Sequence, residues 1–315
     1  MQEQDVITKE FYDNEARVAD LINGGLLEGE QLAKPEDIKE LDSSVFGKTK
    51  WFGRWTVRQR YRDIVRRVML GVRFVIIGIE EQGTVHFAMP VRALGYDFLS
   101  YDRQLKRIKR KHIYLKDLRG SAQILSGILP EDLLSPCITI ILYYGEEPWN
   151  GPRCLKDMLK VEDFPEPFRK YINDYPLHIL EVNQLEHLEY FKTDLKLVFG
   201  FLQNRSSTSR MKEFIRENEA QLSAVDDEAY DMMVAMSHSE ELEQMKNRFR
   251  KKGKVDMCKA LKEWMEESKQ EGQCEGEARF AALTEKLLKD DRAEELLKAT
   301  SDKVYRDKLY KEYKL

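Results

Sequence analysis

The sequence predicts an α/β module over residues 1–205 followed by an all-helical extension over residues 206–315. Three observations predict it. Two nearly continuous apolar runs, FVIIGIE from Phe74 and CITIILYY from Cys137, read as strands buried on both faces. Helix-like patterns precede, separate and follow them. Past the serine cluster Ser206-Ser207 the chain turns to strong helical periodicity with many Glu/Lys pairs and no convincing strand.

In chain order, residues 8–23 read as one helix, with Phe11, Val18, Leu21 and Ile22 on an apolar face, Thr8 as its N-cap and Gly24-Gly25 as its stop. Residues 34–42 read as a polar connector and residues 51–58 as a short edge strand. Two strands then form a hairpin, the first over Tyr61 to Val68 and the second over Phe74 to Glu80, with Gly71 where the turn is needed. Pro90 opens a helix, since proline is tolerated in the first turn. Val91, Leu94, Phe98, Tyr101 and Leu105 recur at helical spacing and read as its core stripe. The basic run LKRIKRKHIYLK from Leu105 reads as carrying a loop. After the Cys137 strand come a turn, GEEPWNGP, a shorter strand over His178 to Val182, and an amphipathic helix over residues 185–203. In the extension, Asp290-Asp291 and Ser301-Asp302 are helix boundaries and QEGQCEG is a linker. The last 36 residues read as two or three short helices packed together.

Composition narrows the function. No apolar run approaches the roughly 18 residues of a membrane span. The start of the chain lacks the basic and apolar regions of a secretory signal. The four cysteines, Cys137, Cys154, Cys258 and Cys274, show no CxxC and no His spacing suited to zinc, so a reducing cytoplasm is the expected compartment. There is no GxxxxGK[ST] or GxGxxG loop, which leaves a nucleotide cofactor unsupported, and no GxSxG or HExxH. The net charge of −4 hides a basic segment: Lys48 to Arg119 carries +12 and the rest of the chain −16. Such asymmetry suits a polyanion such as DNA, although long basic side chains also simply solvate a surface.

The candidate chemistry is carried by Asp63 and by Glu80-Glu81-Gln82. Residues two apart in a strand share a face, so Glu80 and Gln82 point one way and Glu81 the other. With Asp63 on the neighbouring strand, its carboxylate converges with Glu80. Two carboxylates and a backbone carbonyl make an oxygen-lined site for Mg²⁺ or Mn²⁺, and the cation relieves their repulsion. Two surface acids at strand ends are the simpler account of the same spacing.

Several blocks occur in an order that resembles a known family. They are FYDNEARVADLIN from Phe11, KPEDIKELD from Lys34, YRDI from Tyr61, VIIGIEEQ from Val75, VHFAMPVRALGYD from Val85 and ITIILYYGEEPWNGP from Ile138. Together they resemble the Rpn recombination-promoting nucleases, also grouped with transposases, within the PD-(D/E)XK nuclease superfamily. The resemblance covers roughly residues 8–200. It implies a PD-(D/E)XK-like mixed sheet flanked by helices, a hairpin that carries metal ligands, and a Mg²⁺-dependent DNA endonuclease. Carried over by position, Asp63 and Glu80 are the acidic ligands and Glu81 offers its backbone carbonyl. Gln82 stands where the superfamily has Lys, so it can hydrogen-bond a water but adds no charge. Asp20 resembles an accessory acid, with Glu15 as the other candidate. Arg92 and Tyr96 match an Arg and a Tyr of the family and read either as phosphate-facing or as a helix-to-sheet pair. His86 is a proton shuttle or a structural residue. Lys106, Arg107, Lys109, Arg110 and Lys111 are candidates for gripping the DNA backbone. A non-catalytic nucleic-acid-binding or assembly protein on a decayed nuclease fold is the competing expectation. The helical extension is read as structural or as a self-association surface.

Overall fold

A computed structural model describes residues 2–41, 44–51, 54–61, 64–71 and 73–315; for residues 44–61 the description is confined to backbone pairing. The chain is mixed α/β, with a five-stranded mixed sheet flanked by helices and a mainly helical C-terminal region.

The first helical stretch is two helices, α1 (Gln2–Tyr12) and α2 (Glu15–Gly25), rather than one. Asn14 breaks it: its side chain accepts a hydrogen bond from the Ala16 amide and caps α2. Thr8 is therefore inside α1, not at its cap. The polar connector contains a strand, β1 (Ile38–Glu40), and the expected edge strand is a two-stranded hairpin, β2 (Ser44–Trp51) with β3 (Arg54–Tyr61). The predicted hairpin is present as β4 (Ile64–Leu70) and β5 (Arg73–Gln82), with Gly71 at φ +62° in its turn. Beyond β5 lie α3 (Met89–Leu115), α4 (Gly120–Ser126), β6 (Cys137–Tyr143), α5 (Glu166–Arg169), β7 (His178–Glu181) and α6 (Leu195–Asn204). The sheet order is β1-β4-β5-β6-β7. The first three strands are antiparallel, and β6 and β7 run parallel to β5.

Strand alternation sorts the sheet into two faces. Ile64, Val68, Ile77, Ile79, Ile140 and Leu142 join the large core with α1, α2 and α6. Val65, Ile76 and Cys137 form a smaller cluster with Tyr101, and Ile141 and Tyr143 another with Met89 at the start of α3. The sheet is thus covered on both sides, as its apolar strands require.

Helix α3 departs from expectation twice. It runs through the basic stretch as 27 residues, roughly 40 Å, with no loop. Lys and Arg are good helix formers, and Asp102 supports Lys106 one turn on at 2.5 Å. Its buried side also differs. The expected stripe is largely open to solvent, with Val91 45%, Leu94 37% and Phe98 64% exposed. Ala93, Tyr96, Asp97 and Ser100 face the sheet instead. Asp97 tolerates this because it accepts hydrogen bonds from Thr139 Oγ1 at 2.8 Å and the Tyr175 hydroxyl at 2.5 Å.

Helix α6 begins only at Leu195, ten residues later than expected. The preceding turn is held by long-range side chains: Asp20 accepts from the amides of Lys192 and Thr193, and Arg17 pairs with Asp194 at 2.7 Å. Past it lie α7 (Thr208–Glu217), α8 (Glu219–Leu222), β8 (Val225–Asp226), α9 (Asp227–Ser237), α10 (Glu240–Phe249), β9 (Arg250–Lys251), β10 (Lys254–Val255), α11 (Met257–Lys289), α12 (Ala293–Ser301) and α13 (Lys303–Glu312). Contrary to the strandless expectation, β8, β9 and β10 form a small sheet in the order β8-β10-β9. QEGQCEG is not a linker, since α11 runs through it without a break. Its glycines cost roughly 1 kcal/mol each, but Glu, Gln, Ala and Lys around them favour the helix. The boundaries at Asp290 and Asp302 are as expected, and Asp302 caps α13 by accepting from the Tyr305 amide.

The large core crosses the expected boundary at residue 205. Met211, Phe214, Tyr230, Met233 and Leu261 belong to the same cluster as Phe11 and Ile77. Leu283, Leu287, Ala299, Leu309 and Tyr310 form a separate cluster at the C-terminus.

Candidate functional site

Strand β5 carries the candidate acids out of its apolar run. Glu80 ends the buried stretch, opposite Ile141 of β6, and is 0% exposed. A carboxylate this deep needs a charge partner. Arg92, in the first turns of α3, supplies one: its Nη2 lies 3.1 Å from Glu80 Oε2. The Arg92 Nε donates to the Tyr96 hydroxyl at 2.8 Å, and the guanidinium sits 5.6 Å from that ring's centroid. Arg92 thus ties the start of α3 to the sheet.

Glu81 points to the opposite face, as strand alternation requires. There it accepts a hydrogen bond from Thr8 Oγ1 of α1 at 2.6 Å. The buried Tyr12 belongs to the same face, and burial, reinforced by the Glu81 charge, holds its phenol well above the usual tyrosine range. The Gln82 carbonyl accepts from the Tyr144 amide at 3.1 Å, which ties the end of β5 to the segment after β6. The Gln82 side chain is half-buried.

Asp63 lies outside the described residues. Its neighbour Ile64 pairs with Ile79, the residue before Glu80. Among the described residues, no group of three or more His, Cys, Asp or Glu side chains is placed to hold a metal ion. The donors present on the Glu80 face, a carboxylate and the Gln82 amide oxygen, are of the hard oxygen type that Mg²⁺ takes. They fit a divalent cation only with a further ligand, and Asp63 is the candidate for it.

The other candidates are dispersed. The Asp20 carboxylate is buried and taken up by the Lys192 and Thr193 amides, at 2.7–2.9 Å, and by the Thr193 hydroxyl at 2.6 Å. It holds the turn into α6. Glu15 is exposed at the start of α2. His86 precedes α3, and its carbonyl accepts from the Met89 amide. Lys106, Arg107, Lys109, Arg110 and Lys111 all lie exposed on the second half of α3, a helical surface where a loop was expected. All four cysteines are free thiols.

Two groups were not anticipated. Thr8 secures Glu81 from a helix 73 residues away, and nothing local in the sequence signals that pairing. Arg67 and Arg103 flank Arg107 in a cleft between β4 and α3. Strand alternation does place Arg67 on the face of Val65, a usable signal once the rotation of α3 is known.

No protein-family model, no curated protein and no solved structure matches this chain. No helix among the described residues is long and apolar enough to cross a membrane.

Proposed function

We propose that the chain is a divalent-metal-dependent DNA endonuclease that hydrolyses phosphodiester bonds and so promotes recombination. The observation that carries the reading is the convergence at one end of the β4–β5 hairpin. A fully buried acid, Glu80, pairs with Arg92, which also donates to the Tyr96 hydroxyl, both from the first turns of α3. Asp63 is adjacent in sequence to Ile64, whose partner Ile79 precedes Glu80. The order of elements also supports it: the helices α1 and α2, the three antiparallel sheet strands β1, β4 and β5, the helices α3 and α4, and the parallel strand β6. That order agrees with the PD-(D/E)XK-like core that the resemblance implies.

In this reading Asp63 and Glu80 hold the cation, with the Glu81 backbone carbonyl as a third oxygen. A divalent ion there would acidify a water and offset charge on the phosphate. Gln82, on the Glu80 face, orients the water by hydrogen bonding. Arg92, a third exposed at its side chain, is placed to exchange Glu80 for a phosphate oxygen. Lys106, Arg107, Lys109, Arg110 and Lys111 hold the DNA backbone without reading bases. The same reading puts the protein in the cytoplasm and assigns self-association to the helical extension.

One observation favours a second reading, a non-catalytic nucleic-acid-binding protein on the same scaffold. Glu80 already has a cationic partner in Arg92, and the superfamily's Lys is Gln82. Plasmid nicking with Mg²⁺, Mn²⁺, Ca²⁺ or EDTA separates the two. Nicking that needs Mg²⁺ or Mn²⁺ and disappears in Glu80→Ala supports the endonuclease. Salt-sensitive DNA binding without metal-dependent nicking supports the second reading and removes the first.

A further inference from the structure

The segment from Thr208 to Val255 has a connectivity of its own. Helices α7 and α8 lead into β8. Helices α9 and α10 follow, joined only by His238 and Ser239, and β9 and β10 then form a hairpin. The strands order as β8-β10-β9, with both pairs antiparallel. A strand, two helices joined by a tight turn, and a hairpin that pairs back on that strand make a winged helix-turn-helix arrangement. The unit is firmly held. The Tyr230 hydroxyl of α9 donates to the Leu242 carbonyl of α10 at 2.6 Å. Val225 of β8 and Val255 of β10 are buried in the large core.

Charge is sorted along this unit. Helix α10 opens with Glu240, Glu241 and Glu243, all exposed. From Lys246 to Lys254 the chain has six Lys or Arg and no acid. Four of the six have carboxylate partners: Lys246 with Asp231, Arg248 with Glu263, Arg250 with Asp227 and Lys254 with Asp226. Lys251 and Lys252, at the hairpin tip, are exposed and pair with no carboxylate among the described residues. The tip works against its own chemistry. Lys251 lies directly opposite Lys254, and like charges facing across a strand pair repel. The two-residue turn holds Lys252 at φ +54° and Gly253 at φ +77°. A type I′ turn needs both in the left-handed region, where Asn, Asp or Gly fits the first position better than Lys. A third lysine there adds to the repulsion, and an anion relieves it.

We propose that this wing binds the phosphate backbone of duplex DNA through Lys251 and Lys252. Lysines act as point charges that hold phosphates without reading bases. The second helix of a helix-turn-helix pair ordinarily enters the major groove. Here α10 stays clear of it, because its first-turn carboxylates repel phosphates. Those carboxylates do not cancel the wing. The ten residues of α10 span about 15 Å, beyond the roughly 8 Å Debye length at physiological salt. The acids nearest in sequence to β8, Asp226 and Asp227, are already engaged by Lys254 and Arg250. This surface lies outside residues 1–205, and the proposal does not rest on the endonuclease reading.

The test is fluorescence anisotropy of a short DNA duplex titrated with the full chain in EDTA, across a range of salt concentrations. It compares the parent with Lys251→Gln/Lys252→Gln in the wing and Glu240→Gln/Glu243→Gln in α10. All four positions are exposed, so neither variant disturbs the core. Each lost phosphate contact lowers the salt slope by about 0.9, so the wing variant should lose about 1.8. By the same relation its affinity at physiological salt should fall about thirtyfold. The α10 variant should keep the parental slope. A parent that does not bind the duplex overturns the proposal. So does a wing variant with the parental slope, which would leave the wing to an acidic protein segment. Tighter binding by the α10 variant, with the wing variant unchanged, would move the contact to the helix and overturn it too. Cleavage is not read in EDTA, so this result stands or falls separately from the nicking assay.

Discussion

At the scale of the residue, the Glu80–Arg92 pair sets the strongest constraint. Glu80 is fully enclosed, whereas a third of the Arg92 side chain reaches solvent. Removing one partner of a fully buried ion pair costs about 3–5 kcal/mol, because the other charge is left uncompensated. With Arg92 partly solvated, Arg92→Ala should cost about 2–3 kcal/mol in urea unfolding. Adding Glu80→Gln should return most of that loss, since the buried carboxylate is then replaced by a neutral amide. Arg92→Lys keeps the charge but loses the planar Nε contact to the Tyr96 hydroxyl, so it should rescue only in part. Equal stability of Arg92→Ala and the parent would show that Glu80 does not depend on this cation.

At the scale of the element, α3 shows what a sequence exposes and what it hides. Its start at Pro90 is legible because proline both permits and marks a first turn. The buried strands β5 and β6 are legible because long apolar runs have few other uses. The opposed directions of Glu80 and Glu81 follow from alternation alone. The rotation of α3 was misread because its buried side carries Asp97, whose partners Thr139 and Tyr175 are 42 and 78 residues away. The late start of α6 depends likewise on Asp20, 172 residues from the amide it holds. The arginine cleft requires both the β4–β5 register and that rotation. The end of α3 carries its own prediction. His112 is buried between two acids, with Nδ1 2.8 Å from Asp117 and Nε2 2.8 Å from Asp132. The bond to Asp117 leads in raising its pKa above the ordinary histidine value. The pKa of Asp132 is lowered, chiefly by the Leu129 amide. A raised histidine contributes stability that is complete below its unfolded pKa, about 6.5, and is lost as pH rises through the higher folded value. A lowered aspartate contributes stability that is complete above about 3.9 and is lost as pH falls through its folded value. Thermal unfolding across pH should therefore show a decline on the alkaline side of 6.5 that His112→Gln flattens. An unchanged alkaline slope in that variant would remove His112 as its source.

At the scale of the whole molecule, the division of the hydrophobic core matters more than the division of the sequence. Met211, Met233 and Leu261 lie beyond residue 205, yet they share one cluster with the sheet residues Ile77, Ile140 and Leu142. Leu283, Leu287 and Leu309 pack with Ala299 and Tyr310 in a second cluster. Packing energy is local to the cluster that provides it, so the two should respond separately to a cavity. Removing a large buried aliphatic side chain costs about 2–5 kcal/mol through lost transfer energy and the void left behind. Leu261→Ala should thus lower the hydrogen-exchange protection of β5 and β6 as well as of α11, because those elements open together. Leu309→Ala should lower protection in α12, α13 and the end of α11 while leaving β5 and β6 at parental values. Loss of sheet protection in Leu309→Ala would mean that the C-terminal helices and the sheet unfold as one unit, and that the two clusters are energetically continuous despite their separation.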